Sequence, residues 1–150
     1  MKSVDAYQIA LWMHYFISVS FLVIAIWLSI RSVRGIISKL PYLRLDKVLA
    51  YLFIIGLYLQ LLFGVILFSN LSLSMGYDYQ SADGSMVVVS KRLWPVEHIV
   101  LMLFALFIAN LGLIFSSKSN IDTIKHKKIL LYYSASIVLI VISLASIYWF

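Results

Sequence analysis

The chain has 150 residues, 63% of them hydrophobic and 12% charged, with a mean hydropathy of +1.01. That composition excludes a soluble domain of ordinary make-up, and the absence of cysteine excludes a disulfide framework, a thiolate-held metal or an iron–sulfur cluster. The net charge of +6 lies beside apolar runs and not on a soluble surface, which argues against nucleic acid as a partner and for the lipid bilayer.

A bilayer core about 30 Å thick calls for roughly 20 apolar residues per spanning helix. Four such runs follow one another, at about residues 7–30, 47–69, 94–116 and 128–149, and they use up most of the chain. The expected fold is therefore all-α, an integral membrane four-helix bundle forming a single domain over residues 1–150.

The first run is too long for a signal-peptide core, lacks a small-residue cleavage pattern and is followed by basic residues, so it is expected to stay as an anchor. The connection after it carries Arg31, Arg34, Lys39, Arg44 and Lys47 and is interrupted by Pro41. Residues 70–93 form the longest irregular stretch, nearly neutral with Asp78, Asp83, Lys91 and Arg92. There the pair Asp83 and Gly84, followed by Met86 to Val89, can close a short β-hairpin. Pro95 suits the first turn of the third helix, where its missing N–H costs nothing, and Glu97 favours the positive helix end. The third connection carries Lys118, Lys125, Lys127 and Lys128, and only Asp46 and Asp122 oppose the two basic connections.

By the positive-inside rule the first and third connections are cytoplasmic, which leaves both termini and residues 70–93 on the outer face. Trp12, Trp94 and Trp149 then fall at the outer boundary, and Trp27, Tyr132 and Tyr133 toward the inner one, as an aromatic belt. No internal repeat or mid-membrane charge pair points to an inverted-repeat transporter.

A polar side chain in hydrocarbon needs a partner, a cavity or a ligand, so the few polar residues inside the runs are the best guide to function. They are His14 and Ser18 in the first, Tyr58 and Gln60 in the second, His98 and Asn110 in the third, and serines in the fourth. His14 lies near 10 Å and His98 near 6 Å below the outer end of its helix, at about 1.5 Å per residue. Two imidazoles at matched depth can ligate both axial positions of a haem iron between apolar helices, with Met13, Met102, Phe16, Phe21 and Phe104 as candidate walls. Alternatively, each histidine hydrogen-bonds to a neighbouring helix.

Glu97 can exchange protons with a quinol or tune His98, or simply favour the helix start. Gln60 and Asn110 can contact a ligand or bond across helices, and Gly56, Gly64, Ser136 and Ser143 suit close helix packing. His126, among lysines, reads as a solvated residue at the inner boundary. With no second histidine near it, at most one bis-histidine haem is expected, in the outer half. No phosphate-cradling loop, HExxH motif or nucleophile elbow is present.

These residues resemble a group of small bacterial four-helix membrane proteins labelled "cytochrome b". The likeness rests on His14, on the Gln60-Leu-Leu-Phe-Gly64-Val-Ile-Leu-Phe68 run, on Val96-Glu97-His98 with Met102 and Ala105, and on Lys125-His126-Lys127-Lys128-Ile129. The resemblance implies a bacterial inner (cytoplasmic) membrane, a b-type haem and electron transfer with quinol or an outer-face redox partner. Where such proteins carry a histidine two residues before the glutamine, this chain has Tyr58. A fainter resemblance is to the small four-helix membrane protoporphyrinogen oxidases, which rely on a lysine in a membrane helix that the third run lacks.

The sequence thus leads to one haem b held by His14 and His98, with Glu97, Tyr58, Gln60 and Met102 as supporting or quinone contacts. The alternatives are a non-catalytic subunit of a larger membrane complex and a protoporphyrinogen-oxidase-like enzyme.

Overall fold

A computed structural model describes residues 6–74 and 94–145. They form four helices, α1 (Ala6–Ile37), α2 (Arg44–Ser74), α3 (Trp94–Ser117) and α4 (Asp122–Ala145), each long and apolar enough to cross a membrane. The hairpin expected at Asp83 and Gly84 and the belt position of Trp149 lie outside the described residues.

The helices outrun the apolar runs on the basic side. α1 continues through Arg31 and Arg34 to Ile37, α2 starts at Arg44, and α4 starts at Asp122, so Lys125, Lys127 and Lys128 ride on its first turns. Lysine and arginine are good helix formers, and hydropathy marks only the part of a helix that suits lipid. α1 closes with a Schellman-type turn in which the Leu40 N–H donates to the Gly35 carbonyl at 3.1 Å, with Lys39 left-handed at φ 50°. At the start of α2 the Asp46 carboxylate accepts from the Leu43 N–H at 2.8 Å, as the third residue of a capping box does. The same carboxylate pairs with both Arg31 nitrogens that face it and is 1% exposed, which ties the end of α1 to the start of α2.

The helices run up, down, up, down around a ring in which α1 packs on α2, α2 on α3, α3 on α4 and α4 back on α1. Small residues let α3 and α4 approach closely. Ala105 and Ala109 are fully buried, and Ser136 donates across to the Ala105 carbonyl at 2.8 Å. Midway along the bundle three rings stack through the core, Phe21 on Phe53 with centroids 4.7 Å apart and Phe53 on Tyr133 at 4.4 Å. Gly56 leaves the space that Phe21 occupies.

Tyr133 is not a belt residue. It is 2% exposed, and its hydroxyl donates to the Ala50 carbonyl at 3.0 Å, across the diagonal from α4 to α2. The backbone carbonyl satisfies the phenol, so the ring can be buried. Tyr132 beside it packs on Phe115 with centroids 5.6 Å apart. Around the ring, large side chains such as Trp12 (73% exposed), Phe107 and Leu131 face outward, a surface compatible with lipid contact.

Candidate functional site

At the end where α1 and α3 begin, the four helices leave a cavity of about 390 Å³. This is within the range of small-molecule and cofactor sites, roughly 300–1,000 Å³. Its polar groups are His14 and Ser18 from α1, Gln60 from α2 and His98 from α3, and the rest of the wall is largely apolar, with Phe21, Leu57 and Met102 toward the core. α1 and α3 stand on opposite corners of the ring, so the two imidazoles reach one space from across the diagonal. Tyr15 and Leu22, both more than half exposed, also border it, so the cavity reaches the outer, lipid-compatible surface.

The polar groups differ in what holds them. Gln60 is buried and donates to the His14 carbonyl at 3.1 Å and to the Ser18 hydroxyl at 2.7 Å, while Ser18 donates to the same carbonyl at 2.8 Å. Gln60 is therefore a bond across helices that also fixes the backbone carrying His14. The His98 Nδ1 lies 2.7 Å from the hydroxyl of Ser143, a fully buried residue of α4, which orients that ring. His14 has no such support. Its Nδ1 is buried with no hydrogen-bond partner among the described residues. Gly64 faces it from α2, where an added Cβ would sit 3.8 Å from the His14 Cε1, an ordinary contact.

Other expected residues go elsewhere. Tyr58 is half exposed and does not border the cavity. Glu97 is exposed in the first turn of α3, also off the cavity wall. Met13, Phe16 and Phe104 face outward; of the proposed walls, Phe21 and Met102 take that place. Asn110 turns back on its own helix, donating to the Leu106 carbonyl at 2.8 Å, and does not bond across. Ser143, expected only as a packing residue, is the partner of His98. The antiparallel course of α3 and α4 brings the two to one level, the signal that could have found it.

The opposite, basic end corrects a second expectation. His126 is 1% exposed and not solvated, although lysines flank it in sequence. The reason is that α4 begins earlier than hydropathy implies, which turns His126 inward while Lys127 stays exposed. Its ring lies against Gly35 of α1, where even one methyl group would overlap it, and edge-on to Tyr42 with centroids 5.0 Å apart. Neither ring nitrogen, nor the buried hydroxyl of Ser32, has a hydrogen-bond partner among the described residues. Burial pushes the Tyr42 phenol, in the α1–α2 connection, up to about 12.

What the fold and site define is a class: a four-helix chain suited to a bilayer, with an imidazole-lined apolar cavity at one end and a basic surface at the other. Comparison with protein-family models, with curated proteins and with solved structures gives no match. Among the described residues, no three histidine, aspartate or glutamate side chains are grouped to hold a metal ion by themselves.

Proposed function

We propose that the chain is a single-haem b-type membrane cytochrome whose cavity, between His14 and His98, takes one haem b and exchanges electrons with quinol or with a redox partner at the outer face. The observation that carries this reading is the pair of imidazoles from diagonal helices bordering one apolar cavity, one of them with a buried nitrogen that has no hydrogen-bond partner among the described residues. An unsatisfied polar group in a low-dielectric interior is costly, and a ligand entering the cavity relieves it.

The donor set suits the group. Two neutral imidazoles are suited to holding the iron of a b-type haem, which would supply a one-electron couple when bound. In that role Ser143 holds the His98 ring through Nδ1, as outer partners of metal-bound histidines do. Gln60 and Ser18 hold the turn of α1 that carries His14. Phe21, Leu57 and Met102 keep water out and so raise the reduction potential relative to a wet site. The opening beside Tyr15 and Leu22 offers a route for a lipid-soluble electron donor. The lysines and arginines at the other end, by the positive-inside rule, favour placing the cavity on the outer side of a cytoplasmic membrane.

The test is a reduced-minus-oxidised spectrum of purified protein made under haem-replete conditions. A b-type band is expected, lost in His14→Ala and in His98→Ala and kept in Tyr58→Phe. A wild-type protein with no such band sinks the proposal.

A second reading has its own support, because Gln60 and the His98–Ser143 pair already bond between helices. On that reading the chain is a non-catalytic subunit of a larger membrane complex. It predicts a colourless protein that co-purifies with larger partners and whose assembly survives the double alanine substitution.

A further inference from the structure

A second recess, of about 330 Å³, opens at the basic end between the start of α2 and the end of α3. Its wall includes Arg44 and Lys47 from α2, Lys125 from α4, Ser116 from α3, and the rings of Tyr42 and Tyr51. Three cations from two helices converge there, and of the three only Lys125 has a carboxylate partner among the described residues. Asp46 is occupied by Arg31, Asp122 pairs with Lys125 at 2.9 Å, and neither Arg44 nor Lys47 has a carboxylate partner among the described residues. Lys47 instead stands 6.0 Å over the Tyr51 ring and Lys125 5.8 Å over the Tyr42 ring. The carbonyl end of α3, which would repel an anion, is capped at Phe115 by the Lys128 ammonium at 2.8 Å.

We propose that this recess binds a phosphate group, and that the phosphate is the headgroup of an anionic phospholipid. Arg44 offers a planar fork suited to two phosphate oxygens, and Lys47 and Lys125 add point charges that can reorient around it. Placement favours a lipid over a dissolved ion. Arg44 is the first residue of α2 and Ser117, also on the wall, the last of α3, so the recess sits where helices pass from the apolar layer to water. Leu43 and Leu113 give it apolar walls, and Leu45 and Val48 continue an exposed apolar surface along α2 on which acyl chains can lie. Clusters of basic residues at that level attract acidic headgroups. The site is independent of the cavity holding His14 and His98.

The test is thermal unfolding of the purified full chain in a non-ionic detergent, with added phosphatidylglycerol, phosphatidylcholine or inorganic phosphate. Phosphatidylglycerol should raise the midpoint by about 4 °C or more, phosphatidylcholine should not, and phosphate alone should give a smaller, salt-sensitive rise. In the triple variant Arg44→Gln, Lys47→Gln, Lys125→Gln the gain from phosphatidylglycerol should vanish. Lys118→Gln and Lys127→Gln together, which remove two positive charges off the recess, should keep it. An equal rise with phosphatidylcholine, or a triple variant that keeps the gain, overturns the site. A full-sized rise with inorganic phosphate alone overturns the lipid as its occupant. Should the triple variant unfold, the single Lys47→Gln, at an exposed position, is expected to lose part of the gain, and its retention in full counts against the site.

Discussion

Each end of the bundle holds a histidine with a buried ring nitrogen that has no hydrogen-bond partner among the described residues, and the two differ in the space around them. His14 borders a cavity of about 390 Å³, and its nearest glycine, Gly64, stands far enough away to accept a methyl group. His126 is clamped on Gly35 so tightly that a methyl would overlap the ring, and it borders neither cavity. An unpaired polar group signals a ligand site only where there is room for the ligand. His126 is held by packing away from either cavity, whereas His14 stands beside room for a ligand.

Glycine substitutions test that contrast most strongly. Gly35→Val should cost about 3 kcal/mol or more through overpacking, measured by reversible unfolding in detergent, and most of the loss should return when His126→Ala is added. Gly64→Ala should change stability by less than about 0.5 kcal/mol. Gly64→Leu should fill the cavity and, on the haem proposal, abolish the b-type band in a protein that remains folded. Equal losses at the two glycines would break the comparison.

Next in size is Asp46→Asn. It leaves Arg31 without its counter-charge and weakens the bond to the Leu43 N–H, and the expected loss is about 2 kcal/mol, less than for a fully buried pair because Arg31 is partly exposed. On the haem proposal, the b-type band per folded molecule should be unchanged. A smaller effect of opposite sign is expected for Lys39→Gly, because a non-glycine residue at φ 50° is strained, and relief should add about 1 kcal/mol.

A further prediction concerns pH. The Tyr42 phenol, raised to about 12 from 10.0, keeps its proton in the folded chain after the unfolded chain has lost it. Its contribution is complete below pH 10 and declines as pH rises toward 12, since the unfolded state then binds fewer protons than the folded one. Tyr42→Phe should flatten that part of the difference between wild-type and variant stability curves. An unchanged alkaline limb would show that the ring beside His126 is open to water.

Much of this was legible in residue order, and the misses have physical causes. Long apolar runs marked all four helices, because the lipid-crossing length is a property of hydropathy alone. Their basic ends were missed because charged turns such as those of Arg34 and Lys125 are helical without being apolar. His14 and His98 are legible from their matched depth, and Gln60 as a polar residue inside an apolar run. Depth does not give direction, and that is why Tyr58 was grouped with Gln60: two residues apart on a helix is about 200° of rotation, so one faces in when the other faces out. The same reasoning separates Met13 from His14. His126 was misread because its burial depends on Gly35, a residue of another helix whose approach no local pattern records.

The stacked rings of Phe21, Phe53 and Tyr133, with the Tyr133 hydroxyl held by the Ala50 carbonyl, lie between the two ends. All three rings are buried, so they separate the cavity from the basic end by a packed aromatic layer. A charge that enters the cavity beside His14 stops above that layer and crosses only part of the transmembrane voltage. For a full crossing the field does about 2.3 kcal/mol of work per charge at 100 mV, and roughly half of that or less would apply to the cavity. If the cavity takes haem as proposed, electron exchange there would be one-sided and only weakly sensitive to membrane potential.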